Sequence, residues 1–249
     1  MRKIILAIIS AAFLTSAMAQ NVLPKNLKVQ FYKAYTSNSQ ELWKDGLRQL
    51  DAIYNSDQDV KWLLEITKAE FGLVGTCKGV GDKKTGKKYS DQAQKHAEEL
   101  LRKNEDWSEA HALLGGLLGF QISYSPMKGM WLGPKSDQHI EKAIRLDEKN
   151  PAAWYQKGSS YYHTPGMFGG DIGKSVESFE QSVALYEQKA EALDYNWQYL
   201  DALVWLGQAY QKNDQLEKAK ATYKKALRVE PEFGWVKNHL LPELDKKLD

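Results

Sequence analysis

Five histidines, one cysteine and two glycine–lysine stretches are the residues of this 249-residue chain whose types could carry chemistry. Gly81, Gly86 and Lys87 have the spacing of a phosphate-binding loop. Lys88, however, stands where a hydroxyl should hold magnesium, and no strand precedes the stretch. Gly173, Lys174 and Ser175 supply the terminal triplet of the same motif, but Phe168 occupies the place of its first glycine. Nucleotide binding is therefore not expected. Lys78, Lys83, Lys84, Lys87 and Lys88 against Asp82 make a basic segment that reads as a solvated connector or, less simply, as an anion site. Cys77 beside it could have a lowered pKa, or be a small residue at a helix end. No pair of histidines has H-x3-H or H-E-x-x-H spacing. His139 and His163 both lie beside long loops, which would be the one route to a metal. No Gly-x-Ser-x-Gly elbow and no recognisable carboxylate pair is present. No catalysis, cofactor or metal is expected.

The elements that position these residues are helical. Apolar residues recur at helical spacing from Gln20 onward, with no alternating strand pattern bounded by hairpin turns. Residues 1–19 read differently. Arg2 and Lys3 precede an apolar run over 4–14, followed by small residues up to Ala19, the build of a cleavable signal peptide. Eleven such residues are too few for a membrane span, which takes about 20. Cleavage after Ala19 leaves no cysteine for a lipid anchor, so a periplasmic or secreted product without stable membrane insertion is expected. The mature chain then carries 34 − 2 = 32 basic against 32 acidic residues. That balance argues against nucleic acid, whose phosphates require a basic surplus.

Within the mature chain, residues 20–249, one unit recurs. Leu203, Leu206, Gly207 and Tyr210 are followed by Ala219, Tyr223, Ala226 and Pro231. Upstream, Trp154, Lys157, Gly158 and Tyr161 pair with Ser175, Phe179 and Ser182, and His111, Leu114, Gly115 and Leu118 pair with Ser136, Ile140 and Ala143. Large and small residues alternate on two antiparallel helices, so the small ones admit the large. This pattern resembles the tetratricopeptide repeat. The resemblance implies an all-α, right-handed solenoid of about four stacked helix hairpins. The clearest repeats fall at 108–150, 151–190 and 200–233, and a capping helix covers 233–248. A weaker unit spans the apolar helix at 62–74 and Ala93, Ala97 and Leu100, with a further pair or cap at 25–55.

The hairpins have uneven turns. From Gly207 to Ala219 is 12 residues, from Gly158 to Ser175 is 17 and from Gly115 to Ser136 is 21. Thr76 to Tyr89 also reads as a long intra-repeat segment. The extra residues fall at one structural place, so they should cluster on one edge, often the binding face of a solenoid. They are unusually apolar for loops. Tyr124, Pro126, Met127, Met130 and Trp131 lie in one, and His163, Pro165, Met167, Phe168, Gly169, Gly170 and Asp171 in the other. Two readings stand: a rigid apolar edge that captures a partner, or loops folded back to plug the gap between repeats, with Asp171 capping the next helix.

The resemblance also implies a concave groove lined by first helices. Its residues here would be Ala112, Gly116, Gly119, Tyr155, Ser159, Tyr162, Val204, Gln208 and Gln211. The Lys, Arg and Asn clamp of chaperone-binding relatives is missing, so that specificity does not carry over. The expected role is a scaffold that recognises an extended segment of another envelope protein through groove and loops. The alternative is a small-molecule-binding periplasmic repeat protein associated with a transporter. An enclosed apolar pocket would favour the small ligand, and an open trough the protein.

Overall fold

The computed structural model describes residues 23–189 and 193–248. The expected signal peptide lies outside the described residues. Ten helices form five antiparallel hairpins: α1 (Lys25–Thr36) with α2 (Gln40–Asp57), α3 (Val60–Gly79) with α4 (Lys83–Lys103), α5 (Ser108–Tyr124) with α6 (Gly129–Leu146), α7 (Pro151–His163) with α8 (Ile172–Glu187), and α9 (Trp197–Lys212) with α10 (Leu216–Val229). A π-helical turn, Val236–Leu240, leads into α11 (Leu241–Leu248), which packs on α10. The architecture is an all-α solenoid. No described helix is long and apolar enough to cross a membrane.

Side-chain caps start several of the helices, α2, α3, α4, α7, α8 and α9. Asn150 accepts from the Ala152 and Ala153 amides ahead of α7, where Pro151 takes the first helical position. Asp82 and Asp171 accept 3.0 Å bonds from the Thr85 and Lys174 amides at α4 and α8.

One small-into-large contact sets the register inside the hairpins. A methyl group added at Gly115 would overlap Ile140, at Gly158 the Phe179 ring, and at Gly207 the Tyr223 ring. Beside two of these contacts a serine hydroxyl closes the pair. Ser136 donates to the Gly115 carbonyl at 2.8 Å and Ser175 to the Gly158 carbonyl at 2.9 Å. Equivalent residues therefore meet in each of these three hairpins, and the additional residues lie beyond them, towards the turn.

Those additional residues are accommodated in two ways. Between α7 and α8 they form a loop, 164–171. Between α5 and α6 they lengthen the helices, which join through the short 3-10 turn Pro126–Lys128, so Met130, Trp131 and Pro134 are helical and not loop residues as their Gly and Pro content suggests. Leu132 packs on the core of the neighbouring hairpins, and this burial carries the helix past Pro134. The expected long segment at 76–89 is likewise mostly helix, leaving three residues, 80–82, as the turn.

The concave face is not the open trough expected from the repeat pattern. The first hairpin, α1 and α2, lies across it against α9 and the segment after α10: Tyr35 donates to Asp201 at 2.8 Å, Trp43 meets Trp197 edge-on at 5.2 Å, and Tyr35 lies 5.4 Å from Phe233. The remaining chamber, about 20 Å³, is lined by Phe71, Leu113, Tyr155, Tyr186, Trp197 and Asp201 and is the size of a single water. It is equally not the apolar ligand pocket of the alternative reading.

The candidate binding rim

Helices α3, α5, α7 and α9 run in the same direction, so their C-terminal ends come to one edge of the stack. Contacts tie those ends together. The Tyr124 hydroxyl at the end of α5 packs on Gly86 of α4, where no side chain intervenes. Lys212 at the end of α9 donates to the Tyr162 carbonyl at 3.1 Å and sits 4.3 Å above the Tyr162 ring. His163 lies edge-on to Trp205 at 5.1 Å. Desolvation of its ring, then the ammonium groups of Lys78 and Lys212, hold its pKa below the usual imidazole value.

Side chains on this rim point outward. Ten large apolar residues of the described chain are exposed, and six of them sit on three successive turns: Val80 at 48%, Met127 at 81%, Met130 at 87%, Trp131 at 54%, Met167 at 84% and Phe168 at 73%. This exposure excludes a plug for these side chains. Pro126 and Pro165 are exposed beside them.

The 164–171 loop is internally fixed. The Phe168 and Gly170 amides both donate to the Pro165 carbonyl, and the Asp171 amide donates to the Tyr161 carbonyl at 3.2 Å. Gly169 has φ +97°, a conformation that disfavours any side chain, and Gly170 is pressed against the Thr164 carbonyl. Met167 and Phe168 are thus held out from a hydrogen-bonded turn. Asp171 caps α8 with its carboxylate, as the alternative reading of that residue expected.

The groove positions divide. Ala112 and Val204 are wholly buried and belong to the core. Gly116 lies under the Gln156 side chain. Tyr155 and Trp205 lie beside Asp201, which accepts from Tyr35. Ser159, Tyr162, Gln208 and Gln211 are half-buried, and Tyr162 meets Trp205 edge-on at 5.4 Å. Gly119 alone is open to solvent with no atom near a would-be Cβ. Periodicity placed Ala112 and Val204 on the groove, whereas both are packed into the core, and it carries no signal that the first hairpin folds over the remaining positions.

On the outer side of the α7–α8 hairpin lies an open cleft of about 350 Å³. Trp154, Tyr161, Lys157, Lys174 and Glu177 line it, with the Lys157 ammonium 4.7 Å above the Tyr161 ring and paired with Glu141. Sequence reasoning used Trp154 and Tyr161 as packing residues. Their i, i+7 spacing on one helix face was the available signal for this cleft.

The chemistry-bearing residues do not converge. Burial, aided by Asp82, pushes the Cys77 thiol up to about 11, the reverse of activation. His139 pairs with His111, Nδ1 to Nδ1 at 2.7 Å, and not with His163. His111 Nε2 lies 2.8 Å from the Glu105 carbonyl and must donate to it, so its Nδ1 accepts from His139. Burial lowers both imidazole pKa values, and Lys142 adds to the shift. Among the described residues no group of three His, Cys, Asp or Glu side chains is placed to hold a metal ion.

The tetratricopeptide repeat family model matches residues 200–233. No curated protein sequence matches the chain. Two solved structures are similar in fold. The HusA haemophore from Porphyromonas gingivalis aligns over 78% of this chain and 96% of its own, at 17% identity and a TM-score of 0.62. TTC0263, a thermophilic tetratricopeptide repeat protein of Thermus thermophilus, aligns over 89% of this chain and 95% of its own, at 16% identity and a TM-score of 0.53.

Proposed function

We propose that this chain, which matches the tetratricopeptide repeat model over residues 200–233 and shares the fold of a solved tetratricopeptide repeat protein, is a non-catalytic scaffold of the bacterial envelope, periplasmic or secreted, that captures a segment of another envelope protein along its turn rim. The observation that carries this reading is the concentration of exposed Met, Trp and Phe side chains on successive turns, since large apolar residues gathered on a surface mark interaction sites. Thioether and aromatic anchors adapt to a partner's shape and supply contact area. The envelope location rests on the leader-like sequence at 1–19. An N-terminus at Gln20 in protein recovered from the periplasm or medium supports it, and a retained Met1 contradicts it.

The binding test is pull-down from envelope extract with the parent chain and with a double variant, Met167→Ser with Phe168→Ser. The variant should lose the captured protein while its helicity is unchanged. Equal capture by both proteins overturns the assignment.

The cleft beside Trp154 favours a second reading, a small-molecule carrier. Two aromatic faces suit a flat ligand, and the Lys174 ammonium, beside Glu177, can meet an anionic group on it; one fold neighbour is by name a haemophore. Haem titration followed by absorbance tests it: a saturable spectral shift abolished by Trp154→Ala supports this reading, and its absence removes it.

A further inference from the structure

We infer that the segment captured by the rim is acidic at the end lying over the α3–α4 turn and carries bulky apolar side chains where it crosses the next two turns. This rests on the rim being the partner surface. Charge along the rim is concentrated on the first turn. The first turn region bears Lys78, Lys83, Lys84, Lys87 and Lys88 against Asp82, a net of 5 − 1 = +4. All five ammonium-bearing residues are exposed, and none makes an ion pair with another described residue. Asp82 is engaged in capping α4. The like charge of Lys83 adds to desolvation in lowering the Lys78 pKa, a sign of an uncompensated positive field.

The next turn has Lys128 and Lys135 against Asp137, a net of 2 − 1 = +1. Over the equivalent spans, the third has Lys174 against Asp171 and Glu177, a net of 1 − 2 = −1, and the fourth has Lys212, Lys218 and Lys220 against Asp214 and Glu217, a net of 3 − 2 = +1. The apolar anchors follow a different order: one on the first turn, three on the second, two on the third. Charge is therefore greatest at one end, and apolar exposure further along.

A flat anionic bilayer would meet charge and apolar tips together at each turn, whereas a linear segment can meet them one after another. Packed helices lie about 8–10 Å apart, so three turns extend over about 20 Å, the reach of about six extended residues at roughly 3.3 Å each. Such a segment would place carboxylates over Lys83 and Lys87 and apolar side chains on Met130, Trp131, Met167 and Phe168. Long-range attraction between its carboxylates and the basic first turn would set its direction.

The test uses the full mature chain and labelled synthetic peptides of about twelve residues. One has glutamates followed by alternating leucine and phenylalanine. A second scrambles the same residues, and a third replaces glutamate with lysine. The ordered acidic peptide should bind about tenfold more tightly than either control, weaken with salt, and lose about tenfold on Lys83→Glu with Lys87→Glu. Those substitutions lie in the first turns of α4, where added carboxylates suit the helix dipole, so matched melting curves verify the fold. Equal binding of all three peptides overturns the proposal. So does sedimentation with phosphatidylglycerol vesicles in the absence of peptide binding, which would assign the rim to a bilayer. If the peptides fail while Met167→Ser with Phe168→Ser still abolishes envelope-protein capture, the charge order falls and the rim reading stands.

Discussion

The Tyr35 hydroxyl and the Asp201 carboxylate are 166 residues apart in sequence and 2.8 Å apart in space. That bond closes the superhelix, holding the first hairpin against the last. Tyr155, Trp205 and Tyr186 also lie close to Asp201, the first two favouring its charged form. Burial still outweighs these contacts and raises its pKa from 3.8 to about 6. The folded chain therefore holds this proton more firmly than the unfolded chain. The contribution of Asp201 to stability is fully present below about pH 4 and is lost as pH rises through about 6. Asp201→Asn should remove that dependence. Its unfolding free energy relative to the parent should rise by on the order of 2–3 kcal/mol between pH 4 and 8 in denaturant titrations. A pH-independent difference would contradict the buried carboxylate.

Tyr35→Phe tests the clasp from the other side. Removing a donor from a buried charged acceptor costs about 1–3 kcal/mol, and the loss should be greatest above pH 6, where Asp201 is ionised. An unchanged melting temperature at pH 8 would mean that the closure contributes nothing.

The glycines should respond with opposite signs. Gly207→Ala forces a methyl into the buried Tyr223 ring and should cost about 1–3 kcal/mol through overpacking, despite better helix propensity. Gly119→Ala meets open space and should stabilise by about 1 kcal/mol. Thermal melts of the two variants decide whether these positions differ as the contacts require.

The thiol should be inert in the folded chain. Cys77 is fully buried and its pKa is raised to about 11, so a thiol reagent at pH 8 should label the native protein slowly and the denatured protein at once. Rapid native labelling would show that the end of α3 opens.

The rim tips should be neutral to stability. Met167→Ser with Phe168→Ser removes side chains that are mostly in water, so the unfolding free energy should stay within about 0.5 kcal/mol of the parent. A large loss would mean that the loop packs where the structure shows it exposed.

Local pattern revealed much of this architecture. Gly115 with Ile140, Gly158 with Phe179 and Gly207 with Tyr223 were legible because each pair sits within one hairpin, and the periodic spacing of small and large residues reflects direct contact. The helical start of α6 was not legible, because Gly129, Gly133 and Pro134 disfavour helix locally and only the tertiary burial of Leu132 and Ile140 sustains it. Three glycines in α5 looked alike in sequence. In space, Gly115 and Gly116 admit neighbouring side chains and Gly119 does not. The Tyr35–Asp201 clasp left no periodic trace, since its partners belong to hairpins at opposite ends of the chain, and so the groove was read as open.

The methionines offer the most direct measurement of the rim. Of five in the chain, Met1 and Met18 lie in the leader-like segment, and Met127, Met130 and Met167 all lie on the rim. Peroxide footprinting with mass spectrometry therefore reads this surface specifically. In the free mature chain all three should oxidise as rapidly as in the unfolded chain, and all three should be protected in the complex recovered from envelope extract. Slow oxidation in the free protein, or unchanged oxidation in the complex, would contradict the rim as the binding surface.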